Sequence, residues 1–311
     1  MTIAWVLGQG GLIGSALLRM LQAGGTTLFR TETSLRWDSP CAISKQFQNA
    51  IAAFSNKTAL DQDWEIYWAA GRSSFSSSQS VLDAETELLS ILVDCLVNSQ
   101  SLLPGRGSIA FVSSAGGIYS GSRDRVLHEG SPVAPLNAYG QGKLDQESLL
   151  IQSKLASAGH RLLLARASTL YGPGQAMAKA QGLISRIARA GISRETVPLY
   201  VSMQTLRDYL YTDDAARIII ASLRSIAFGE QPIVKIVASG QPASVAEVLR
   251  IYRLVLHRRP LWISVSSPAS GFYDQRQRYR SMVYPELNQL ASTSLAVGIQ
   301  RIIAAEQHRF I

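Results

Sequence analysis

The chain begins with a short apolar run that leads into a glycine-rich stretch, Ile3-Ala4-Trp5-Val6-Leu7-Gly8-Gln9-Gly10-Gly11-Leu12-Ile13-Gly14. The run is typical of a buried strand, and Leu17, Leu18 and Leu21 follow the spacing of a helix. A strand, a glycine loop and a helix in this order form dinucleotide sites, because glycines let the backbone approach a pyrophosphate and the helix N-terminus supplies unpaired N–H groups. The residues that we assign to cofactor contacts are Gly8, Gly10, Gly11, Leu12, Ile13 and Gly14.

The residues after this helix bear on which dinucleotide would bind. A second strand is predicted at 26–29, and it ends at Arg30, where NAD sites carry an acidic residue for the adenine ribose. An arginine can instead meet the 2′-phosphate of NADP, so NADP is favoured over NAD. In the alternative interpretation Arg30 is a solvated cation, Glu32 serves the ribose and the cofactor is NAD. Residues 35–37 predict a short third strand that brings Asp38 to the adenine edge as a further cofactor residue.

Two later strands are predicted to end in small or hydroxyl-bearing residues. The strand predicted at 64–68 is followed by Ala69-Ala70-Gly71, whose small side chains would let the backbone pass close to the cofactor. The run 108–112 is followed by Ser113 and Ser114. Serines at the carboxyl end of a parallel strand lie where open α/β sheets bind ligands, so either hydroxyl could orient a substrate. The alternative is a hydroxyl that caps local backbone.

The stretch 137–143 contains Tyr139 and Lys143, four residues apart. If this stretch is helical, both side chains project from one face and reach a single substrate. A free phenol titrates near ~10, and a neighbouring ammonium favours the phenolate, which brings the tyrosine toward a pH where it can exchange protons with a sugar or alcohol hydroxyl. The pair alone also occurs by chance on solvated helices.

Length and composition set limits on the class of protein. A chain of 311 residues forms one large α/β unit or two domains. The net charge is +8, but the cations are scattered and no nucleic-acid motif is present, so an anionic small molecule is favoured as partner over nucleic acid. No apolar run reaches the ~18 residues of a membrane span, and the first strand begins too close to Met1 for a cleavable leader. Cys41 and Cys95 lack metal spacing, so we expect reduced thiols, no metal site and a cytoplasmic location.

Four motifs occur in a fixed order along the chain: Gly8-x-x-Gly11-x-x-Gly14, Ala69-Ala70-Gly71, Ser113-Ser114 and Tyr139-x-x-x-Lys143. Together they resemble the extended short-chain dehydrogenase/reductases, a family that contains nucleotide-sugar epimerases, dehydratases and reductases. The resemblance continues through residues 166–175 and 207–216, so motifs in matching order span residues 3–216.

The resemblance implies a role for each matching residue. Tyr139 would be the acid/base, and Lys143 would bind the nicotinamide ribose and lower the pKa of Tyr139. Ser114, or else Ser113, would orient the substrate hydroxyl. Arg207 would face a nucleotide pyrophosphate, a task that suits the bidentate donors of a guanidinium.

Two departures from the family pattern refine the expected function. Thr169 stands where relatives carry a substrate-binding Asn, so the sugar contacts are expected to differ. Dehydratases of the family carry an Asp-Glu pair where this chain has Ala115-Gly116, and dehydration is therefore disfavoured. We expect an NAD(P)-dependent nucleotide-sugar epimerase or reductase, with both outcomes open. The alternative is a non-catalytic NAD(P)-binding sensor or scaffold of the same fold, and the presence of both Tyr139 and Lys143 argues against it.

The expected architecture is α/β, a doubly wound parallel sheet (Rossmann) with a smaller, discontinuous C-terminal substrate lobe. Residues 1–174 and 207–240 would form the dinucleotide-binding domain, and residues 175–206 and 241–311 the lobe. The last strand of the sheet is predicted at Ile233–Val237. Helices near 82–96 and 140–155 would suit the four-helix homodimer of the family, although packing against the sheet explains much of their apolar pattern.

Overall fold

A computed structural model describes residues 2–58, 63–102, 106–175, 182–257, 259–265 and 277–308. Within these residues, parallel strands form one main sheet. Its six strands are β1 (Ile3–Leu7), β2 (Thr27–Phe29), β3 (Trp64–Trp68), β4 (Gly107–Ser114), β5 (Arg161–Ala167) and β9 (Ile233–Val237). They lie in the order β2-β1-β3-β4-β5-β9. The order reverses between β1 and β3, which defines a doubly wound sheet and confirms the predicted fold class.

Helices cover both faces of the main sheet. The helices that pack on it are α1 (Leu12–Ala23), α2 (Pro40–Lys57), α3 (Gln79–Val97), α5 (Ala138–Gln152) and α8 (Thr212–Ser225). Alternate residues of β1 point to opposite faces: Trp5 joins the core cluster that contains α2 and α3, whereas Val6 joins the cluster that contains α1 and α8. Because both faces are covered, every residue of β1 is buried, and this explains its continuous apolar run.

The remaining strands lie outside the main sheet and come from residues on both sides of β9 in the sequence. Three strands form a small mixed sheet in the order β10-β8-β6, and two more form a parallel pair. These strands are β6 (Thr169–Tyr171), β7 (Thr196–Leu199), β8 (Leu206–Tyr211), β10 (Pro242–Ser244) and β11 (Leu261–Ser264). The remaining helices are α4 (Ala115–Ile118), α6 (Lys154–Ser157), α7 (Leu183–Ser193), α9 (Val245–Leu256), a 3-10 helix (Pro285–Leu290) and α10 (Leu295–Gln307). Helices α7, α9 and α10 share one hydrophobic cluster.

The predicted division into two domains stays a prediction. Strands β6 and β8, which belong to the predicted dinucleotide-binding part, pair in the small sheet with β10 from the predicted lobe. Residues 176–181, 258, 266–276 and 309–311 of that lobe lie outside the described residues. Among the helices that the structure describes, none is long and apolar enough to cross a membrane.

The predicted third strand at 35–37 is wrong. Instead of pairing with β2, this segment is hydrogen-bonded to the side chain of Gln46, which accepts from the Arg36 N–H at 2.8 Å and donates to the carbonyl of Ser34, the residue before the segment, at 3.0 Å. Trp37 turns inward and packs edge-on against Trp68, with ring centroids 5.9 Å apart. A glutamine of α2 thus supplies hydrogen bonds that a neighbouring strand would have supplied, and the described part of the main sheet ends at β2.

Candidate active site

The glycine loop between β1 and α1 is packed too closely for side chains. Gly8 has a φ of +85°, and a Cβ on it would lie 2.5 Å from the backbone of Ala69. A Cβ on Gly14 would lie 2.2 Å from the carbonyl oxygen of Gly8. The loop is therefore folded tightly against the carboxyl end of β3, which brings the predicted cofactor residues Ala69 and Ala70 beside it.

The start of α1 is shaped to receive an anion. Gly11 precedes the helix, and its backbone N–H donates to the Gly8 carbonyl at 2.9 Å, while no side chain caps the helix N-terminus. A Cβ on Gly10 would meet nothing within 4 Å, so the tip of the loop faces open space. Leu12 and Ile13 begin the helix, and their N–H groups belong to the first turn, where the helix dipole is positive. These residues fit the pyrophosphate of a dinucleotide.

The predicted adenine-side residues lie beyond β2 at the same edge of the sheet. Arg30 is exposed directly after the strand, and Glu32 is exposed two residues later. Asp38 is exposed as well, and its carboxylate lies 3.8 Å from Arg36 in an open ion pair. Because β1 and β2 are parallel, Arg30 follows the same end of the sheet as the glycine loop.

Tyr139 and Lys143 lie on α5, whose start is fixed by a cap. The Asn137 side chain accepts from the Gly140 N–H at 2.9 Å, so the helix begins at Ala138 and Tyr139 falls in its first turn. Lys143 is buried one turn later, where its ammonium donates to Gln146 at 3.0 Å and lies 5.2 Å from the centre of the Phe111 ring. The structure therefore places the predicted pair on one helix.

Two glycines bring α4 against α5 and the phenol to the end of β4. A Cβ on Gly140 would lie 2.3 Å from the Gly117 carbonyl oxygen, and a Cβ on Gly117 would lie 2.9 Å from the ring of Tyr139. The ring of Tyr139 thus covers Gly117 directly, and the two helices contact through their backbones.

The two serines that the sequence left as alternatives have different partners. Ser114 accepts from the Gly117 N–H at 3.2 Å, which caps α4, and its hydroxyl is hydrogen-bonded to the phenol of Tyr139. Ser113 points to the other face of the strand, is buried, and donates to Glu147 at 2.6 Å. The structure brings Ser114 and Tyr139 together and commits Ser113 to a different contact.

The net shift of the Tyr139 pKa in the structure is upward, and the lowering by Lys143 that the resemblance implies stays a prediction. Burial raises the pKa of Tyr139 above its ordinary value of 10, the negative charge of Glu85 raises it further, and the hydrogen bond from Ser114 opposes both effects. The ring also packs against Phe75, with centroids 5.3 Å apart. Since an apolar surrounding disfavours the phenolate, Tyr139 is a protonated phenol at neutral pH in this site.

A buried ion pair beneath the site was missed by the sequence analysis. Arg166 of β5 donates to both oxygens of Glu147, at 3.0 and 2.6 Å, and to the Tyr119 hydroxyl at 2.6 Å. The side chains of Arg166 and Glu147 are 8% and 3% exposed. Glu147 lies four residues beyond Lys143 on α5, and this repeated spacing of polar residues is the signal that could have identified it. The pair joins α5 to β5 and, through Ser113, to β4.

The predicted substrate residues lie on the small sheet. Ala167 is paired with Ser114 in the main sheet, and Thr169 follows two residues later at the start of β6. Arg207 lies on the neighbouring strand β8, two residues before Tyr209, the register partner of Thr169. Within the part of the chain that the structure describes, no three His, Cys, Asp or Glu side chains are placed to hold a metal ion.

The fold and this site define a dinucleotide-binding α/β protein with a tyrosine and a lysine on one helix at the carboxyl edge of its sheet. The chain belongs to the NAD dependent epimerase/dehydratase family, whose model matches residues 4–237. This match confirms the family that the motifs predicted.

Two curated proteins that are similar in sequence are consistent with membership of this family. The chain is 31% identical over 120 residues to the dTDP-L-rhamnose 4-epimerase of Burkholderia thailandensis, a match that covers 38% of this chain and 32% of that protein. It is 30% identical over 151 residues to the GDP-6-deoxy-D-mannose reductase of Pseudomonas aeruginosa, which covers 47% of each. The matches thus span about a third and about half of these curated relatives.

Solved structures agree in fold. MoeE5 in complex with UDP-glucose and NAD superposes with a TM-score of 0.78 over 100% of both chains, at 22% sequence identity. At this identity the likeness shows the fold alone.

Proposed function

We propose that the protein is an NAD(P)-dependent epimerase or reductase of a nucleotide sugar, with Tyr139 as its acid/base. The observation that carries the proposal is the hydrogen bond between Tyr139 and Ser114 at the carboxyl end of β4, with Lys143 one turn further along the same helix. Family membership and the names of the two curated relatives, an epimerase and a reductase of nucleotide sugars, support it.

Each residue of the site has its own role in the proposed proton transfer. A bound nicotinamide dinucleotide supplies or accepts the hydride at the sugar carbon. Ser114 donates a hydrogen bond to the substrate oxygen and so aims it at Tyr139, whose phenol gives or takes the proton. Because burial keeps the phenol protonated, the chain by itself prepares Tyr139 to donate a proton to a carbonyl oxygen. The opposite direction needs positive charge near the phenol, and the Lys143 ammonium is the group on the same helix that can provide it.

The proposed cofactor contacts are the glycine loop, the adenine-side residues and the end of β3. The backbone of Gly8–Gly14 would hold the pyrophosphate, and Ala69, Ala70 and Gly71 would line the path toward the nicotinamide. Arg30 would meet a 2′-phosphate, so NADP is proposed over NAD, with Asp38 at the adenine. Lys143 would bind the nicotinamide ribose. A Cβ on Gly8 or on Gly14 would clash with neighbouring backbone, and this close packing of the glycine loop supports the assignment.

Substrate and assembly complete the proposal. Thr169 and Arg207 would contact the nucleotide sugar, and the net charge of +8 suits an anionic substrate rather than a nucleic acid for which no motif is present. Helices α3 and α5 pack side by side, and this pair would form the interface of a homodimer. Free thiols at Cys41 and Cys95 support a cytoplasmic location.

The test compares Y139F with the wild-type protein on dTDP-, GDP- and UDP-linked sugars. Reduction is followed by nicotinamide absorbance and epimerisation by chromatography of the product sugar. We expect Y139F to lose roughly 10²- to 10⁴-fold in turnover with unchanged dinucleotide affinity. Y200F changes an exposed tyrosine and serves as the matched control. Unchanged turnover in Y139F would refute the proton-transfer role, and a wild-type protein that binds dinucleotide without turnover would favour the sensor or scaffold.

A further inference from the structure

Glu85 is a buried carboxylate that holds the turn following β3. Located on α3 and only 9% exposed, it accepts hydrogen bonds from the backbone N–H groups of Arg72 and Ser73, both at 2.7 Å, and from the Ser73 hydroxyl at 2.7 Å. All three donors come from two consecutive residues. Hydrogen bonds to an ionised carboxylate are stronger than neutral ones, so the turn is tied firmly to the helix.

The turn is built around this carboxylate. Gly71 has a φ of +146°, a conformation that other residues rarely adopt. A Cβ on Gly71 would lie 3.2 Å from an oxygen of Glu85, so the backbone passes over the carboxylate in close contact. Ala69, Ala70 and Gly71 belong to this segment, so Glu85 fixes the shape of the backbone that we assign to cofactor contact.

The same segment delivers an aromatic ring to the proposed acid/base. Phe75 packs on Tyr139, with centroids 5.3 Å apart and planes inclined by 39°. The tip of Phe75 also lies 3.5 Å from where a Cβ of Gly116 would be, and the amide nitrogen of Gln277 lies 3.3 Å from the same point. Phe75 therefore lies at van der Waals distance from position 116, beside the ring of Tyr139.

We propose that Glu85 and Phe75 form a support for Tyr139, in which Glu85 is a positioning residue that holds the turn at 71–73 and the turn places Phe75 over the phenol ring. The support excludes water from one side of Tyr139. It also places the Phe75 ring beside Gly116 at the end of β4. The meaning of this support for turnover depends on the proposed function, but its existence does not.

The support also affects the pKa of the Tyr139 phenol. The groups that face the phenol are Glu85 from α3, Ser114 from the end of β4 and Phe75 from the turn, with Lys143 on the same helix. Burial and the charge of Glu85 raise the pKa of Tyr139, whereas Ser114 lowers it. Removing the negative charge while keeping the shape of the side chain should therefore lower the pKa of Tyr139.

The first experiment titrates Tyr139 directly by NMR of protein labelled with ¹³C at the tyrosine ring carbon that bears oxygen, and Y139F assigns the signal. No substrate is needed, so a failure here is distinct from a failure of the proposed activity. We expect the Tyr139 midpoint in E85Q to fall below that of the wild type. E87Q removes an exposed carboxylate from the same helix and should leave the midpoint unchanged. F75A, which admits water, should also lower it. Equal midpoints in E85Q and wild type would overturn the proposal.

The second experiment measures amide hydrogen exchange at Arg72 and Ser73 near neutral pH. It tests directly whether Glu85 holds the turn, and it decides the proposal if Tyr139 does not titrate before the protein unfolds. We expect E85A to speed exchange at these two amides by roughly tenfold or more, since each loses a bond to a charged acceptor. E85Q, which keeps one acceptor oxygen, should fall between E85A and wild type and covers the case in which E85A does not fold. E87Q should match the wild type. Unchanged exchange at Arg72 and Ser73 in E85A, or in E85Q if E85A does not fold, would overturn the proposal.

Discussion

Replacing Glu147 with Gln tests the buried ion pair beneath the proposed active site. The substitution keeps the shape of the side chain but leaves the Arg166 guanidinium buried without its counter-charge. It also turns one carboxylate oxygen into an amide nitrogen, which faces donors in either position: Ser113 at 2.6 Å and Arg166 at 3.0 Å, or two nitrogens of Arg166 at 2.6 and 3.2 Å. The remaining contact of Arg166, with the Tyr119 hydroxyl, carries no charge to offset it.

The size of the effect follows from the burial of the pair. With side chains only 8% and 3% exposed, solvent screens the charges little. Removing one partner of such a pair costs about 3–5 kcal/mol of unfolding free energy, because an uncompensated charge stays in the interior. For a chain of this size that loss corresponds to a fall in Tm of roughly 5–15 °C. E147L/R166M removes both charges and should recover much of the loss.

The assay is urea unfolding followed by far-UV circular dichroism, with the midpoint and the slope compared among variants. R36Q serves as the matched control, because the Arg36–Asp38 pair is 3.8 Å apart with side chains 64% and 72% exposed. Its removal should change stability by no more than about 0.5 kcal/mol. If E147Q unfolds at the same urea concentration as R36Q, the reasoning about the buried pair is refuted.

Three further predictions concern the cofactor loop, the cofactor and a buried lysine. G14A should destabilise the protein by about 1–3 kcal/mol and weaken dinucleotide binding, because its Cβ would lie 2.2 Å from a backbone oxygen, whereas G10A, with nothing within 4 Å, should leave unfolding in urea unchanged. R30E should weaken NADP binding relative to NAD by roughly tenfold or more, as fluorescence titration with both cofactors would show; equal losses would count against contact with the 2′-phosphate. Burial lowers the pKa of Lys235 from 10.5 to about 8, so the unfolded chain binds more protons between these values and this residue makes stability rise from pH 8 to pH 10.5. K235M should remove that rise from the pH dependence of urea unfolding, and an unaltered slope would contradict it.

The main sheet was predictable because burial on both faces leaves a plain mark on the sequence. Strand β1 is apolar throughout, β3 is apolar except for Glu65, and β9 was predicted with the bounds that the structure shows. The segment 35–37 has large apolar residues at both ends, but the N–H of its central residue is hydrogen-bonded to the side chain of Gln46. A hydrogen bond between loop backbone and a glutamine of the following helix leaves no periodic pattern in the sequence. A strand was therefore predicted where none forms.

The two site residues on α5 could be predicted from the sequence, whereas the roles of the residues that surround them could not. Tyr139 and Lys143 could be placed together from their spacing alone. Consecutive residues of a strand face opposite sides, so Ser113 and Ser114 could be told apart only once the phase of β4 was known. The raised pKa of Tyr139 depends on Glu85, 54 positions earlier in the chain, and on burial. No spacing rule connects residues that meet only through the fold.

The residues Tyr139, Lys143 and Glu147 divide α5 into two equal steps of four residues. Tyr139 faces the end of β4, and Glu147 is fixed to β5 through Arg166. One residue inserted between them would rotate one contact by about 100° relative to the other around the helix axis, so both could not be kept. The segment between β2 and α2 is held by hydrogen bonds to Gln46 and by the packing of Trp37, but it is not helical and has no helical phase to keep. Insertions and deletions accepted during the divergence of this chain are therefore expected between β2 and α2, and not between Tyr139 and Glu147.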